Sequence, residues 1–145
     1  MKHDLCVFVV DDMPLVAYTV SAALRDEGHS AIPYTDPTLA LRDARSFTPD
    51  VLISDVEMPD LGGVDLAIQL LAFCPQCKVL LMTGKTGPVK SLEVAEAKGF
   101  HFPLFEKPLS ARILVEELEA FRHEQPDPLF GHFERAGIAG SKAVQ

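Results

Sequence analysis

Val51-Leu52-Ile53-Ser54-Asp55-Val56-Glu57-Met58-Pro59 opens on an apolar run too short for a helix, meets an acid, and breaks at a proline shortly before Gly62-Gly63. This pattern predicts a short buried strand that delivers one carboxylate, Asp55, to a loop at its carboxyl end. In a doubly wound sheet that end of the strands is where ligands bind. Position alone makes Asp55 a site candidate.

The same unit recurs on either side. Upstream, Leu5 to Val10 is a continuous apolar, β-branched-rich run that ends at Asp11-Asp12, as expected for a strand covered on both faces. Pro14 suits the first turn of a helix whose Val16, Val20, Ala23 and Leu24 share a face before Gly28 closes it. Ala31 to Tyr34 reads as a second strand, and Asp36 as the N-cap of a helix running from Pro37 to about Phe47. Downstream, Val64, Ile68 and Leu71 mark the predicted apolar side of a third helix, and Lys78 to Met82 forms a fourth strand ending at Thr83-Gly84. Pro88 is expected to open a fourth helix that reaches about Lys98, with Gly99 just past its end and a thin stripe of Val89, Leu92 and Ala95. Phe102 to Phe105 is the fifth strand, followed by Glu106-Lys107-Pro108. Ser110 then caps a last helix with Leu114, Leu118 and Phe121 toward the core.

Five strand-then-helix units require crossovers, hence an α/β fold with a parallel sheet and helices on both faces. Proline lacks a ladder donor and is confined to edge strands, strand ends and bulges. It falls only in strands two and five, so strands one, three and four are expected in the centre. That matches the flavodoxin-like (βα)5 order 2-1-3-4-5, with its switch point between strands one and three. Asp11, Asp12 and Asp55 would then meet in one crevice.

Composition narrows the function. The 145 residues suit one domain, and 48% apolar with 23% charged residues is ordinary for a soluble protein. A formal charge of −8, from 21 acids against 13 bases, argues against direct nucleic-acid binding. The early apolar run is too short for a signal peptide or membrane span, so no membrane role is expected and the cytoplasm is the expected location. An odd count of three cysteines fits a reducing compartment. Cys6 reads as core. Cys74-Pro75-Gln76-Cys77 has redox or zinc spacing without the further ligands a zinc would need, so it reads as two loop cysteines with no role.

Three carboxylates in one pocket repel each other, each close pair by about 4 kcal/mol at 4 Å and an effective dielectric of 20. A hard divalent cation offsets that, and an all-oxygen site suits Mg²⁺, with Mn²⁺ as an alternative. Lys107 and Thr83, each at a carboxyl edge, would add a positive charge and a hydroxyl. Such a cleft is suited to a phosphoryl group, with Asp55 as its nucleophile.

Val9-Val10-Asp11-Asp12, Asp55 with Met58-Pro59 and Gly63, Met82-Thr83-Gly84 and Lys107-Pro108 together resemble the receiver domain of two-component response regulators, of the stand-alone chemotaxis type, over about residues 4 to 123. The resemblance implies that Asp55 is the phosphoacceptor for a histidine kinase or histidine phosphotransfer protein. It further implies that Asp11, Asp12, Asp55 and the Glu57 backbone carbonyl hold Mg²⁺, and that Thr83, Gly84 and Lys107 meet the phosphoryl group. The Lys107-Pro108 bond is cis in such domains. The protein would catalyse its own phosphotransfer and dephosphorylation without turning over a separate substrate.

Leu104, with Phe105 beside it, stands where the family usually has a switching aromatic residue. Glu57 and Lys85 occupy positions that tune phosphoryl lifetime, and they are expected to pair across the pocket mouth. Residues 1–124 form the expected receiver domain, and 125–145 a flexible linker and tail whose Phe130, Phe133 and Ile138 could dock elsewhere. Output would pass to a downstream protein effector through the last two helices and fifth strand, a surface that also offers a homodimer interface. Two other readings are open: an aspartate-nucleophile phosphatase with Glu57 as its second acid, and an interaction module of the same fold that is never phosphorylated.

Overall fold

Strand and helix alternate five times: β1 (Cys6–Val10), α1 (Pro14–Asp26), β2 (Ser30–Tyr34), α2 (Pro37–Ser46), β3 (Val51–Asp55), α3 (Gly63–Phe73), β4 (Lys78–Thr83), α4 (Lys90–Ala97), β5 (Leu104–Glu106) and α5 (Ala111–Glu124). This computed structural model describes residues 4–124. The predicted linker and tail, with Phe130, Phe133 and Ile138, lie outside the described residues.

The strands pair in parallel in the order β2-β1-β3-β4-β5, as the proline positions predict. Pro33 sits opposite Val9 on the edge strand β2, where a missing donor is tolerated. Pro103 falls just before β5 rather than inside it, and its carbonyl accepts from the Leu81 amide at 2.9 Å. β5 is correspondingly short.

Alternation along each strand sends side chains to two cores. Phe8, Leu52 and Leu81 pack against Ala40 and Ala44 of α2, Val64, Ala67 and Leu70 of α3, and Leu92 and Ala95 of α4. Val7, Val9, Ile53, Leu80 and Met82 face the other way, onto Leu24 of α1 and Leu114 and Leu118 of α5. Most of these side chains are fully buried, and each large one contributes about 1.5–3 kcal/mol by leaving water. The central strands are thereby fixed against sliding, and their carboxyl ends become a rigid rim.

Two local expectations need correction. Val64, Leu66, Ala67 and Leu70 carry the buried face of α3, while Ile68 and Leu71 are only half-buried. The helix is apolar almost all round, so spacing alone does not choose its face. α4 begins at Lys90, after an extended Val89 with φ −108° and ψ 112°, so Pro88 belongs to the preceding loop. Cys74 and Cys77 lie in the loop between α3 and β4, as read, but both are buried against the core: the Cys77 amide bonds the Cys74 carbonyl at 3.1 Å, closing a turn that packs against the α3 side. The Asp36 cap on the Thr38 amide and the left-handed Gly99, φ +97°, stand as read from the sequence.

Candidate functional site

The polar side chains of the site arrive at the carboxyl ends of four different strands. β1 runs out into Asp11 and Asp12, β3 ends on Asp55, β4 on Thr83, and Lys107 follows β5. Asp11 and Thr83 are buried and Asp55 is 4% exposed, whereas Asp12 faces solvent. One carboxylate oxygen from each of Asp11, Asp12 and Asp55 lies within 4.8 Å of the others. The crevice predicted from strand order is therefore present.

Lys107 spans it. Its Nζ is 2.7 Å from Asp11 Oδ2 and 3.3 Å from Asp55 Oδ1, and its backbone amide donates to the Thr83 carbonyl at 2.8 Å. Burial pushes the Asp55 carboxyl up to about 6; the Asp11 charge adds to this and Lys107 opposes it. For Lys107, burial pulls the ammonium downward, but the hydrogen bond and charge of Asp11 with the charge of Asp55 outweigh it and hold the group above its usual range. The second oxygen of Asp11 is engaged by the Met13 amide at 2.9 Å.

Asp55 Oδ1 is buried and makes no well-directed hydrogen bond despite its proximity to Lys107. Among the described residues, the Lys107 ammonium is thus its one charged neighbour of opposite sign. Three carboxylate oxygens gathered this closely, with one lysine between two of them, are a donor set that fits a hard divalent cation. Asp11, Asp12 and Asp55 could hold one.

The backbone beneath Asp55 is equally constrained. Ser54 Oγ donates to the Asp55 carbonyl at 3.0 Å, and the Val56 amide bonds the Met82 carbonyl at 2.8 Å. A β-carbon on Gly63 would lie 2.1 Å from the Asp55 carbonyl oxygen. The glycine pair read from the sequence as a tight loop thus also lets α3 start directly against β3. The hydroxyl of Ser54 carries no pattern that reveals its role in the linear sequence.

Thr83 Oγ1 lies 3.0 and 3.2 Å from the two carboxylate oxygens of Glu57 and accepts from the Lys85 amide at 3.1 Å. Glu57 is therefore joined to Thr83, not to the exposed Lys85 side chain as expected. A buried hydroxyl at a strand end is a nearer and more directed partner than a solvated ammonium. Leu104 and Phe105 are both half-buried and pack against opposite cores, Leu104 on the side of α2, α3 and α4 and Phe105 on the side of α1 and α5. Gly84 is exposed, and a β-carbon there would meet nothing within 4 Å. The Lys107-Pro108 peptide is cis. Among the described residues no helix is long and apolar enough to cross a membrane.

A family profile described as the response regulator receiver domain matches residues 7–119. The probable transcriptional regulatory protein TcrX of Mycobacterium tuberculosis strain H37Rv is 37% identical over 114 residues, which is 79% of this chain and 48% of TcrX. The transcriptional regulatory protein CreB of Escherichia coli strain K12 is 32% identical over 133 residues, 88% of this chain and 58% of CreB. The chain thus spans about half the length of these relatives. Among solved structures, the Vibrio cholerae chemotaxis protein CheY4 superposes with a TM-score of 0.71 at 26% identity, over 81% of this chain and 98% of that one.

Proposed function

The chain belongs to the response regulator receiver domain family, and from that premise we propose that it is a phosphorylation switch whose phosphoacceptor is Asp55. The buried Asp55 Oδ1 carries the reading: a carboxylate oxygen set among two acids and a lysine is a nucleophile held ready for phosphorus. The donor is a phosphohistidine on a histidine kinase or histidine phosphotransfer protein. An Asp55 oxygen attacks its phosphorus, the phosphorus–nitrogen bond breaks with its electron pair returning to the imidazole, and an acyl phosphate forms on Asp55.

Asp11, Asp12 and Asp55, with the Glu57 carbonyl, would hold Mg²⁺ or Mn²⁺. Such an ion supplies charge neutralisation for the transferring oxygens. Lys107 supplies the chain's own positive charge to the same oxygens. It must leave part of its contact with Asp11 to follow them. Thr83 would offer its hydroxyl and Gly84 its backbone amide to the same oxygens.

Output then passes by protein contacts through α4, β5 and α5, toward a downstream effector or a second copy of the chain. Leu104 takes the place of the usual aromatic switch on this surface. Three free thiols accord with a cytoplasmic setting. The phosphatase reading would need Glu57 available to a leaving group, whereas its carboxylate is occupied by Thr83.

Intact-mass measurement after incubation with acetyl phosphate and Mg²⁺ tests the assignment. A single phosphoryl adduct on the wild type and none on Asp55→Asn is expected. An adduct that survives in Asp55→Asn would refute it.

A further inference from the structure

A threonine hydroxyl has one proton to donate and two lone pairs with which to accept. In Thr83 the proton is already committed. Oγ1 lies 3.0 and 3.2 Å from the Glu57 carboxylate oxygens, close enough to share its hydrogen between them, while one lone pair receives the Lys85 amide at 3.1 Å. Thr83 is 1% exposed, so water competes poorly for this bond, and a bond to a charged acceptor is among the stronger ones. The hydroxyl needed to stabilise a phosphoryl group on Asp55 is therefore held by another anion.

We propose that Glu57 is an autoinhibitory latch: it holds the Thr83 hydroxyl in the resting protein and must surrender it to the phosphoryl group for switching to occur. This rests on Asp55 and Thr83 acting as described above. The competition has a built-in direction. A phosphoryl group brings negative charge into the crevice that Glu57 already borders, repelling the carboxylate while attracting the hydroxyl proton. Release of Glu57 and capture by phosphate thus favour each other. Because the Lys85 amide rides on the same oxygen, the exchange also displaces the start of the β4–α4 loop. Glu57 acts here through Thr83, as a positioning residue.

Charge and hydrogen bonding are separable by substitution. Glu57→Ala removes both, whereas Glu57→Gln removes the charge but keeps an oxygen acceptor. Beryllofluoride, with Mg²⁺, serves as the phosphoryl mimic. Glu57→Ala should bind it about tenfold more tightly than wild type, the scale of one lost charge-assisted bond, and Glu57→Gln, which keeps a weaker neutral acceptor, should fall between the two. In a Thr83→Ala background, where only the charge repulsion is left, Glu57→Ala should tighten binding clearly less than it does with Thr83 present. In the metal-free protein, the Thr83 hydroxyl proton should exchange slowly by NMR in wild type and Glu57→Gln and rapidly in Glu57→Ala.

Equal tightening by Ala and Gln would mean that only charge matters and would overturn the latch, as would an unchanged affinity in Glu57→Ala. Both results leave wild-type binding intact. A wild type that takes up no beryllofluoride would instead overturn the assignment of Asp55, and the latch with it.

Discussion

Gly63 stands so close beneath Asp55 that a β-carbon added to it would lie 2.1 Å from the Asp55 carbonyl oxygen and 2.9 Å from Ser54 Oγ. The first turn of α3 therefore rests directly on the backbone that presents Asp55. Backbone cannot yield as a flexible side chain can. Gly63→Ala should lower stability by about 3 kcal/mol, the upper range of overpacking costs, as read by urea denaturation. A loss below about 1 kcal/mol would show that the contact relaxes easily.

The raised Asp55 carboxyl makes stability depend on pH with a definite sign. Between the unperturbed value near 3.8 and the folded value of about 6, the native state binds the proton more tightly than the unfolded chain. The contribution is therefore fully present below about pH 4 and is lost as pH rises through about 6. In metal-free protein, Asp55→Asn should remove this slope and be more stable than wild type at pH 7.5 by on the order of 2–3 kcal/mol. Paired urea titrations at pH 5 and 7.5 check it. Identical slopes in the two proteins would contradict the assigned cause.

Divalent ions should reverse the sign of an acid deletion. Without metal, Asp12→Ala relieves repulsion in the three-carboxylate cluster and should leave thermal stability equal to or above wild type. With free Mg²⁺ at ten times its dissociation constant, wild type should gain about 1.4 kcal/mol. The variant should gain almost nothing. A Mg²⁺-dependent rise of equal size in both would remove Asp12 from the ligand set.

Burial holds the thiols of Cys74 and Cys77 above their usual range, Cys77 most strongly. Few thiolates are then present at neutral pH, and the sulfurs are also shielded. In native protein both should react with Ellman's reagent far more slowly than after denaturation, when all three thiols become available. The native rate should climb as pH rises. Rapid labelling of two thiols in the folded protein would show this turn to be open.

Strand order was legible because Pro33 and Pro103 restrict where their strands can lie, and because Asp11, Asp12, Asp55, Thr83 and Lys107 each follow an apolar run. What escaped the sequence was orientation within crowded or uniform segments. The apolar surface of α3 offers two faces, and packing against the sheet selects the one that carries Val64, Leu66, Ala67 and Leu70. Pro88 marks a helix start by type, but the loop containing Gly84 and Gly87 is long enough to place the first turn two residues later. Glu57 and Lys85 carry opposite charges at matching offsets, which suggested an ion pair. The buried Thr83 hydroxyl lay closer, and linear spacing does not encode that distance.

Lys107 also ties the rim to the sheet's outer margin, since its amide is bonded to the Thr83 carbonyl while its ammonium reaches Asp11 and Asp55. A protein that grips β5 more firmly when Asp55 is modified must, by thermodynamic reciprocity, make that modification more favourable in return. On the proposed reading the listener would thus help to set how much message is sent, and the amount of modified protein would be a joint property of the donor and of whatever binds at the far edge.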